Sequence, residues 1–411
     1  MELKPGYKQT EVGVIPDDWD VCSLTDLSLK ITDGDHLTPK RELSGYYLLS
    51  ARNVLNGRID VRDVDYVGHA EYQRMKQRCG PEAGDILISC SGSIGRVAVV
   101  PEGLECVLVR SAALAKIDKN LANGTFVQFW LQGRNAQSQI SGSVNQGAQP
   151  NLFLNQIERL KCPKPPLAEQ LAIANVLSDL DQLLSDLGQL ITKKLQVKQA
   201  TMQKLLTGKR RLPGFEGEWE VKRLGEIATI DPENLGSNTQ PHYRFNYISL
   251  EDVDQGALLN WSEHEFSSSP SRARRRLRSN DVLVSTVRPN LKSHLLFGQD
   301  NGEWVCSTGF ALLRCNSELA DPSYVFFHLF GAFINKQIEG LLTGSNYPAI
   351  SSRDVRSLEI PVPALSEQKE IARTLTSMAD EIISLTQRLE KSRLLKQGMM
   401  QQLLTGKIRL T

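Results

Sequence analysis

The chain writes one phrase twice, and that repetition limits its folds more than any other feature. "QKLLTGKRRLPGFEGEW" occupies Gln203 to Trp219, and "QQLLTGKIRL" occupies Gln401 to Leu410. A shift of 198 residues carries Leu205-Leu206-Thr207-Gly208-Lys209 onto Leu403-Leu404-Thr405-Gly406-Lys407. The same shift lays "CPKPPLAEQLAIANVL" (Cys162 to Leu177) on "IPVPALSEQKEIARTL" (Ile360 to Leu375), so that Pro163/Pro361, Pro165/Pro363, Leu167/Leu365, Glu169/Glu367, Gln170/Gln368, Ile173/Ile371 and Leu177/Leu375 coincide. Upstream, "DWDVCSLTDL" from Asp18 resembles "EWEVKRLGEI" from Glu218, and "GDILIS" from Gly84 resembles "NDVLVS" from Asn280. A chain duplicated in this way folds as two related halves, each a globular segment followed by a helix.

The helices follow from periodicity. Ile173, Leu177, Leu180, Leu184, Leu187 and Ile191 alternate steps of four and three, and Ile371, Leu375, Met378, Ile382, Leu385 and Leu389 repeat the pattern. Such seams pack helix on helix. Each stretch opens after prolines with an acidic first turn, carries Lys or Arg late and stops at a glycine, as helix ends prefer. The repeated LLTGK thus reads as a C-cap. It is not a phosphate-binding P-loop, because Gln203 and Gln401 stand where that loop requires glycine. About 40 helical residues span roughly 60 Å. Packed antiparallel, two such helices would place the globular segments at opposite ends about an approximate two-fold axis, as a dimeric reader of duplex DNA places its half-site readers about 34 to 36 Å apart.

Composition removes several alternatives. The net charge of +1 supports no bulk attraction to nucleic acid, so any basic surface must be local. Seven cysteines without a CxxC pair, and six histidines without HxxxH or HxH spacing, argue against a disulfide framework and a zinc site. There is no uninterrupted apolar run of membrane-spanning length and no signal-like N-terminus, which predicts a cytoplasmic protein without a membrane partner.

The segments "YKQTEVGVIPDDWDV", "PPLAEQLAIANVLSDLD", "LLTGKRRLPGFEGEWEV", "IPVPALSEQKEIARTL" and "LLTGKIRL", in this order over the whole length, resemble the specificity subunit of type I restriction-modification enzymes. The resemblance implies a mixed α/β chain with target recognition domains at 1–163 and 209–361 and helical spacers at 164–208 and 362–411, the spacers forming an antiparallel coiled coil. It further implies double-stranded DNA as a partner, with each domain reading one half of an asymmetric split site. Two modification subunits would dock on the helices, bringing S-adenosylmethionine for adenine methylation, and restriction subunits would bring ATP and Mg. No cofactor is expected in this chain. Neither an [DNS]-P-P-[YFW] element nor a GxGxxG after a strand occurs, so no catalytic residue is assigned. "GSIG" at Gly92 reads as a tight hairpin between two strands, and Asp17 and Asp18 as a solvated turn or cap before a core Trp19.

Candidate DNA contacts sit beside plainer readings. In "SRARRRLRS", Arg272, Arg274, Arg275, Arg276 and Arg278 suit phosphate neutralisation, or else line a solvated helix face. Ser91, Ser93 and Arg96 in "SCSGSIGR", and Arg288, Asn290 and Lys292 in "STVRPNLK", follow matching strands. Asn145, Gln146 and Gln149, together with Asn346 and Tyr347, lie in amide-rich turns before each helix; such amides pair with adenine and also simply make turns. Arg52, Asn53 and His36 complete the set. Strands are expected at "YYLLSARNV", "GDILIS" and "GRVAVV", and helices at 126–133 and 324–341. A protein-binding coiled-coil adaptor and a fused DNA methyltransferase are the competing functions. The first leaves the Arg cluster and the divergent heads unexplained, and the second lacks its motifs.

Overall fold

The computed structural model describes residues 5–144, 150–343 and 348–410. The chain divides into two compact units: residues 1–187 with 388–411, and residues 188–387. Each long helix, Leu167–Leu205 and Leu365–Leu403, has 39 residues and contributes one part to each unit. The expected spacers 164–208 and 362–411 are therefore not separate from the globular segments. Each helix is built into both units.

In the first unit the antiparallel strands Val97–Val99, Ile86–Ser89, Ala112–Ile117 and Ser28–Asp33 form one sheet in that order. A second sheet runs Cys106–Leu108, Tyr46–Leu49, Asp65–Val67 and Arg41–Glu42, its first pair parallel. The second unit repeats this plan, except that one edge strand of its second sheet lies on the opposite side. Ala228–Ile230, Phe310–Cys315, Val282–Ser285 and Leu295–Leu296 make one sheet. Ser262–Glu265, Arg244–Ile248, Trp304–Ser307 and Ala273–Arg276 make the other, again with one parallel pair. The expected strand over "YYLLSARNV" stops at Leu49, because Ser50 and Asn53 form a capping box that turns Ala51–Asn53 into a 3-10 turn. The expected helix at 324–341 is two, Pro322–His328 and Ala332–Leu341, with Gly331 capping the second. Gly92 and Gly95 do form the predicted hairpin, joining Ile86–Ser89 to Val97–Val99.

Within each unit the helices run antiparallel. In the first, Ile173, Ala174 and Leu177 share a core with Leu403, Leu404 and Met400, and Lys396 Nζ lies 2.5 Å from Asp181. In the second, Met202, Leu205 and Leu206 meet Ile371, Ala372 and Leu375, and Lys194 lies 2.7 Å from Glu381. Of the seam residues, Ile173, Leu177, Leu187, Ile371, Leu375 and Leu389 are buried, while Leu180, Leu184, Ile191, Met378, Ile382 and Leu385 are half-buried. The 4-3 pattern thus marks the packed stripe correctly.

The duplicated words turn out to be joints. Gln170 is buried; its Oε1 accepts from Asn123 N at 2.9 Å and its Nε2 donates to Pro165 O at 2.9 Å. Gln368 does the same with Asp321 N at 3.0 Å and Pro363 O at 2.9 Å. Each glutamine fastens the start of a helix to the N-terminus of a globular helix. Beside it, Glu169 is 3 % exposed and holds Arg409 at 2.7 Å; Glu367, 1 % exposed, holds Arg211 at 2.6 Å. To reach there the chain must reverse after the helix, which it does through Gly208 (φ +67°) and Gly406 (φ +65°). A side chain is excluded at Gly406 by space as well, since a Cβ would lie 2.4 Å from Pro16. Each returning arginine lies 5.6 Å from the ring centre of a tryptophan, Arg409 at Trp19 and Arg211 at Trp219. LLTGK is therefore the C-cap expected, and the arginine two residues beyond the lysine is what the cap delivers. Asp18 belongs to the same joint. It stays exposed in the turn expected, and there accepts from Arg409 at 2.8 and 2.9 Å, a contact that lowers its pKa.

Candidate functional site

Backbone hydrogen bonds draw together loops that are far apart in sequence. In the first unit, Ala51 N donates to Ser111 Oγ (3.1 Å), Cys90 N to Ser111 O (2.8 Å), Arg110 N to Asp35 O (3.1 Å) and Leu152 N to Cys90 O (2.9 Å). Residues 34–36, 51–53, 90–96, 109–111 and 151–152 consequently form one cluster. In the second unit, Thr308 N donates to Arg272 O (2.8 Å), Thr286 N to Gly309 O (2.9 Å), Ile350 N to Thr286 O (2.9 Å) and Arg288 N to Pro348 O (2.7 Å). Residues 272, 286–292, 308–309 and 348–350 meet there in the same manner. The polar turns after matching strands, singled out in the sequence, are brought together in both units.

Ion pairing then separates cations committed to the fold from those left over. "SRARRRLRS" is an edge strand, Ala273–Arg276, and not a helix face. Arg275 is largely buried in an ion pair with Asp231 and donates to Ser352 Oγ at 3.3 Å. Arg276 pairs with Glu303 at 2.9 Å, and Arg278 pairs with Glu233. The Glu303 carboxyl is held below its usual range first by the Tyr243 hydroxyl and then by Arg276. Arg275 cannot neutralise a phosphate without leaving Asp231 unpaired, which corrects its inclusion among the contacts. Arg274 lies 4.8 Å from the centre of the Phe266 ring, and Arg272 is exposed. Neither has a carboxylate within 4.0 Å among the described residues.

The first unit sorts likewise. Arg52 reaches Asp65 at 3.2 Å and Asp63 at 3.7 Å, Arg74 reaches Asp35 at 2.6 Å, and Arg78 reaches Asp33 at 2.8 Å. His36, exposed, pairs with Asp33 at 2.7 Å. Arg96 and Arg110 have no such partner among the described residues. Asn53 is 1 % exposed, its Oδ1 accepting from Ser50 N and its Nδ2 donating to the carbonyls of Asp60 and Asp63. Both ends of that amide are used, so Asn53 is a turn residue and not a reader of bases. Ser93 is exposed on the hairpin and Ser91 half-buried at its base; Asn290 is exposed and Lys292 half-exposed on the matching loop. Asn145, Gln146, Gln149, Asn346 and Tyr347 lie outside the described residues. Arg110 was missed in the sequence because it stands alone between strands, and its place beside Ser111 and Asp35 is a product of folding. No cluster of His, Cys, Asp or Glu suited to a metal occurs among the described residues, and no helix there is long and apolar enough to cross a membrane.

Known proteins share this arrangement. The family described as the type I restriction modification DNA specificity domain matches residues 16–198 and again 216–392. The type I restriction enzyme MjaVIII specificity subunit of Methanocaldococcus jannaschii is 26% identical over 96% of this chain and 94% of its own length. The EcoKI specificity subunit of Escherichia coli is 23% identical over 89% of this chain and 83% of its own. A crystal structure of the S subunit of the type I restriction-modification system from M. genitalium superposes with a TM-score of 0.62 at 15% identity, covering 98% of both chains.

Proposed function

Because the chain belongs to the type I restriction-modification DNA specificity family, with its domain present twice, we propose that each unit reads one half of a split, asymmetric site in double-stranded DNA. The observation that carries this is the pair of equivalent loop clusters, each keeping cations with no carboxylate within 4.0 Å among the described residues: Arg96 and Arg110 in the first unit, Arg272 and Lys292 in the second. These are the groups left for phosphates and base edges, while the paired arginines maintain the framework. Different loops on equivalent scaffolds read different half-sites. The joints built from Glu169 and Glu367 fix the globular part of each unit to its helices.

In this reading the chain recognises and does not catalyse. Two modification subunits dock on the helices and supply adenine methylation with S-adenosylmethionine; restriction subunits, with ATP and Mg, add cleavage; the assembly works in the cytoplasm. Apolar side chains left exposed along the helices, among them Leu190, Leu195, Ile383, Leu394 and Leu395, support a docking role.

The test is a methylome comparison of cells holding the modification partner with and without this chain. Loss of N6-methyladenine at one split motif is the expected result. An unchanged methylome, with the purified complex showing no sequence preference in footprinting, would leave an adaptor. At residue level, Arg96→Ala and Arg272→Ala should each weaken binding to all sequences and reduce the salt slope by about one.

A further inference from the structure

Residues related by the 198-residue shift line a groove in each unit, aromatic around one lysine in the second and with glutamine at a matching place in the first. In the second unit, Phe326, Phe327 and Phe330 from the helix Pro322–His328 and its exit, Leu195 and Lys198 from the central helix, and Ile383 from the C-terminal helix line a groove of about 570 Å³. Lys198 is the one charged residue lining it among those described. Its Nζ lies 5.8 Å from the centre of the Phe327 ring and has no carboxylate within 4.0 Å among the described residues; Asp380 acts on it only at longer range, and burial lowers its pKa. Phe326 and Phe330 are half-exposed, Leu195 is 49 % exposed and Ile383 is 54 % exposed.

The first unit has a different set of residues at these positions. Phe326 and Phe330 correspond to Gln128 and Gln132, Ala379 to Asp181, and Lys198 to Lys396. Gln128 accepts from Val99 N at 2.7 Å, and Gln132 donates to Val97 O at 3.2 Å. Lys396, likewise stacked 5.1 Å from the centre of the Phe129 ring, is neutralised by Asp181 at 2.5 Å. The first unit pairs these glutamines and this lysine within its own fold. The other leaves an ammonium over aromatic rings and removes the acid that would neutralise it.

We propose that the groove of the second unit receives a segment of the modification subunit that presents apolar side chains around one carboxylate, so that two copies of that partner bind this chain with unequal affinity. Lys198 selects the carboxylate and the three phenylalanines select the apolar side chains. An acid delivered there meets a half-desolvated cation, whereas the same acid at Lys396 must compete with Asp181. The inference rests on the docking role of the helices given above.

The test uses the full chain and the purified modification subunit, with native mass spectrometry to count bound copies and a separate assay for DNA retention. The wild type should bind one copy at low concentration and a second only at higher concentration. Lys198→Glu and Phe330→Gln, the latter copying Gln132, should weaken the first copy about tenfold, with Lys198→Arg restoring it. Asp181→Ala should tighten the second copy by freeing Lys396. Far-UV dichroism confirms that each variant is folded. Wild-type binding by Lys198→Glu and Phe330→Gln, with complexes still forming, overturns the groove and leaves the docking role standing. Failure of the wild type to bind the modification subunit overturns the docking role itself. A dimer of the chain alone that Lys198→Glu dissolves also overturns the proposal, since a second copy would then be the occupant.

Discussion

The two units are built to one plan, but their joints are not equally made. In the first, Glu169 is hydrogen-bonded by Arg409 and by Trp19 Nε1 at 3.1 Å, Arg409 also grips Asp18, and Trp19 is fully buried. In the second, Glu367 is held by Arg211, whose remaining N–H groups go to the carbonyls of Gly217 (2.7 Å) and Glu216 (3.1 Å). Among the described residues no carboxylate besides Glu367 lies within 4.0 Å of Arg211, and Trp219 Nε1 is buried without a partner. The helix-to-domain geometry therefore needs only the buried Glu–Arg pair and the stacked tryptophan. Additional hydrogen bonds make the first joint stiffer without changing its form.

Acid should separate the units most. Burial lowers the pKa of His294 and of His328 to about 3, and both lie in the second unit; the first holds only His36 and His69, both exposed. A histidine kept neutral in the fold contributes stability that is complete above the unfolded pKa of 6.5 and is lost as pH falls towards the folded value. From pH 6.5 to 5 the second unit should lose about 2 kcal/mol per histidine, and the first little. Urea midpoints at pH 7 and pH 5, followed by hydrogen-exchange mass spectrometry of peptides from each unit, measure the difference. Equal loss in both units would break the contrast.

The next effect comes from the buried acids. Glu169→Ala leaves Trp19 Nε1 without its partner and Arg409 with Asp18 alone, and should cost the first unit about 2 to 3 kcal/mol. Glu367→Ala should cost the second unit less, because Trp219 Nε1 makes no bond there to lose. The same urea series resolves the two values, and a larger loss for Glu367→Ala would reverse the ranking. Smallest is the indole pair. Trp19→Phe forfeits a bond to a carboxylate that Trp219→Phe does not, so the first should be worse by about 1 to 2 kcal/mol after the common loss of ring area. Identical melting shifts would mean that the Trp19–Glu169 bond contributes nothing net.

Legibility followed the range of the interactions. The seam from Ile173 to Leu389 was readable because a helix places residues three and four apart on one face, whatever surrounds it. The hairpin at Gly92 was readable for the same local reason. The strand break at Ser50 was not, since it depends on Asn53 turning its amide to carbonyls of Asp60 and Asp63. Nor was the division of the arginine run, where Arg275 and Arg276 of an edge strand and Arg278 just beyond it find acids at 231, 303 and 233 that no spacing rule connects to them.

By itself the sequence determined that the chain is two halves, that each half carries a long helix with a defined apolar stripe, and that glycine ends each helix. Repetition, periodicity and capping act over a few residues or by identity. Tertiary structure decided which cations remain free, which polar turns meet in one cluster, and what the repeated phrase is for. Arg211 and Arg409 find Glu367 and Glu169 only after each helix has been laid antiparallel to the other, 156 and 240 residues away along the chain. A buried acid and its base are chosen by proximity in the folded molecule, and that proximity is written in no single stretch of residues.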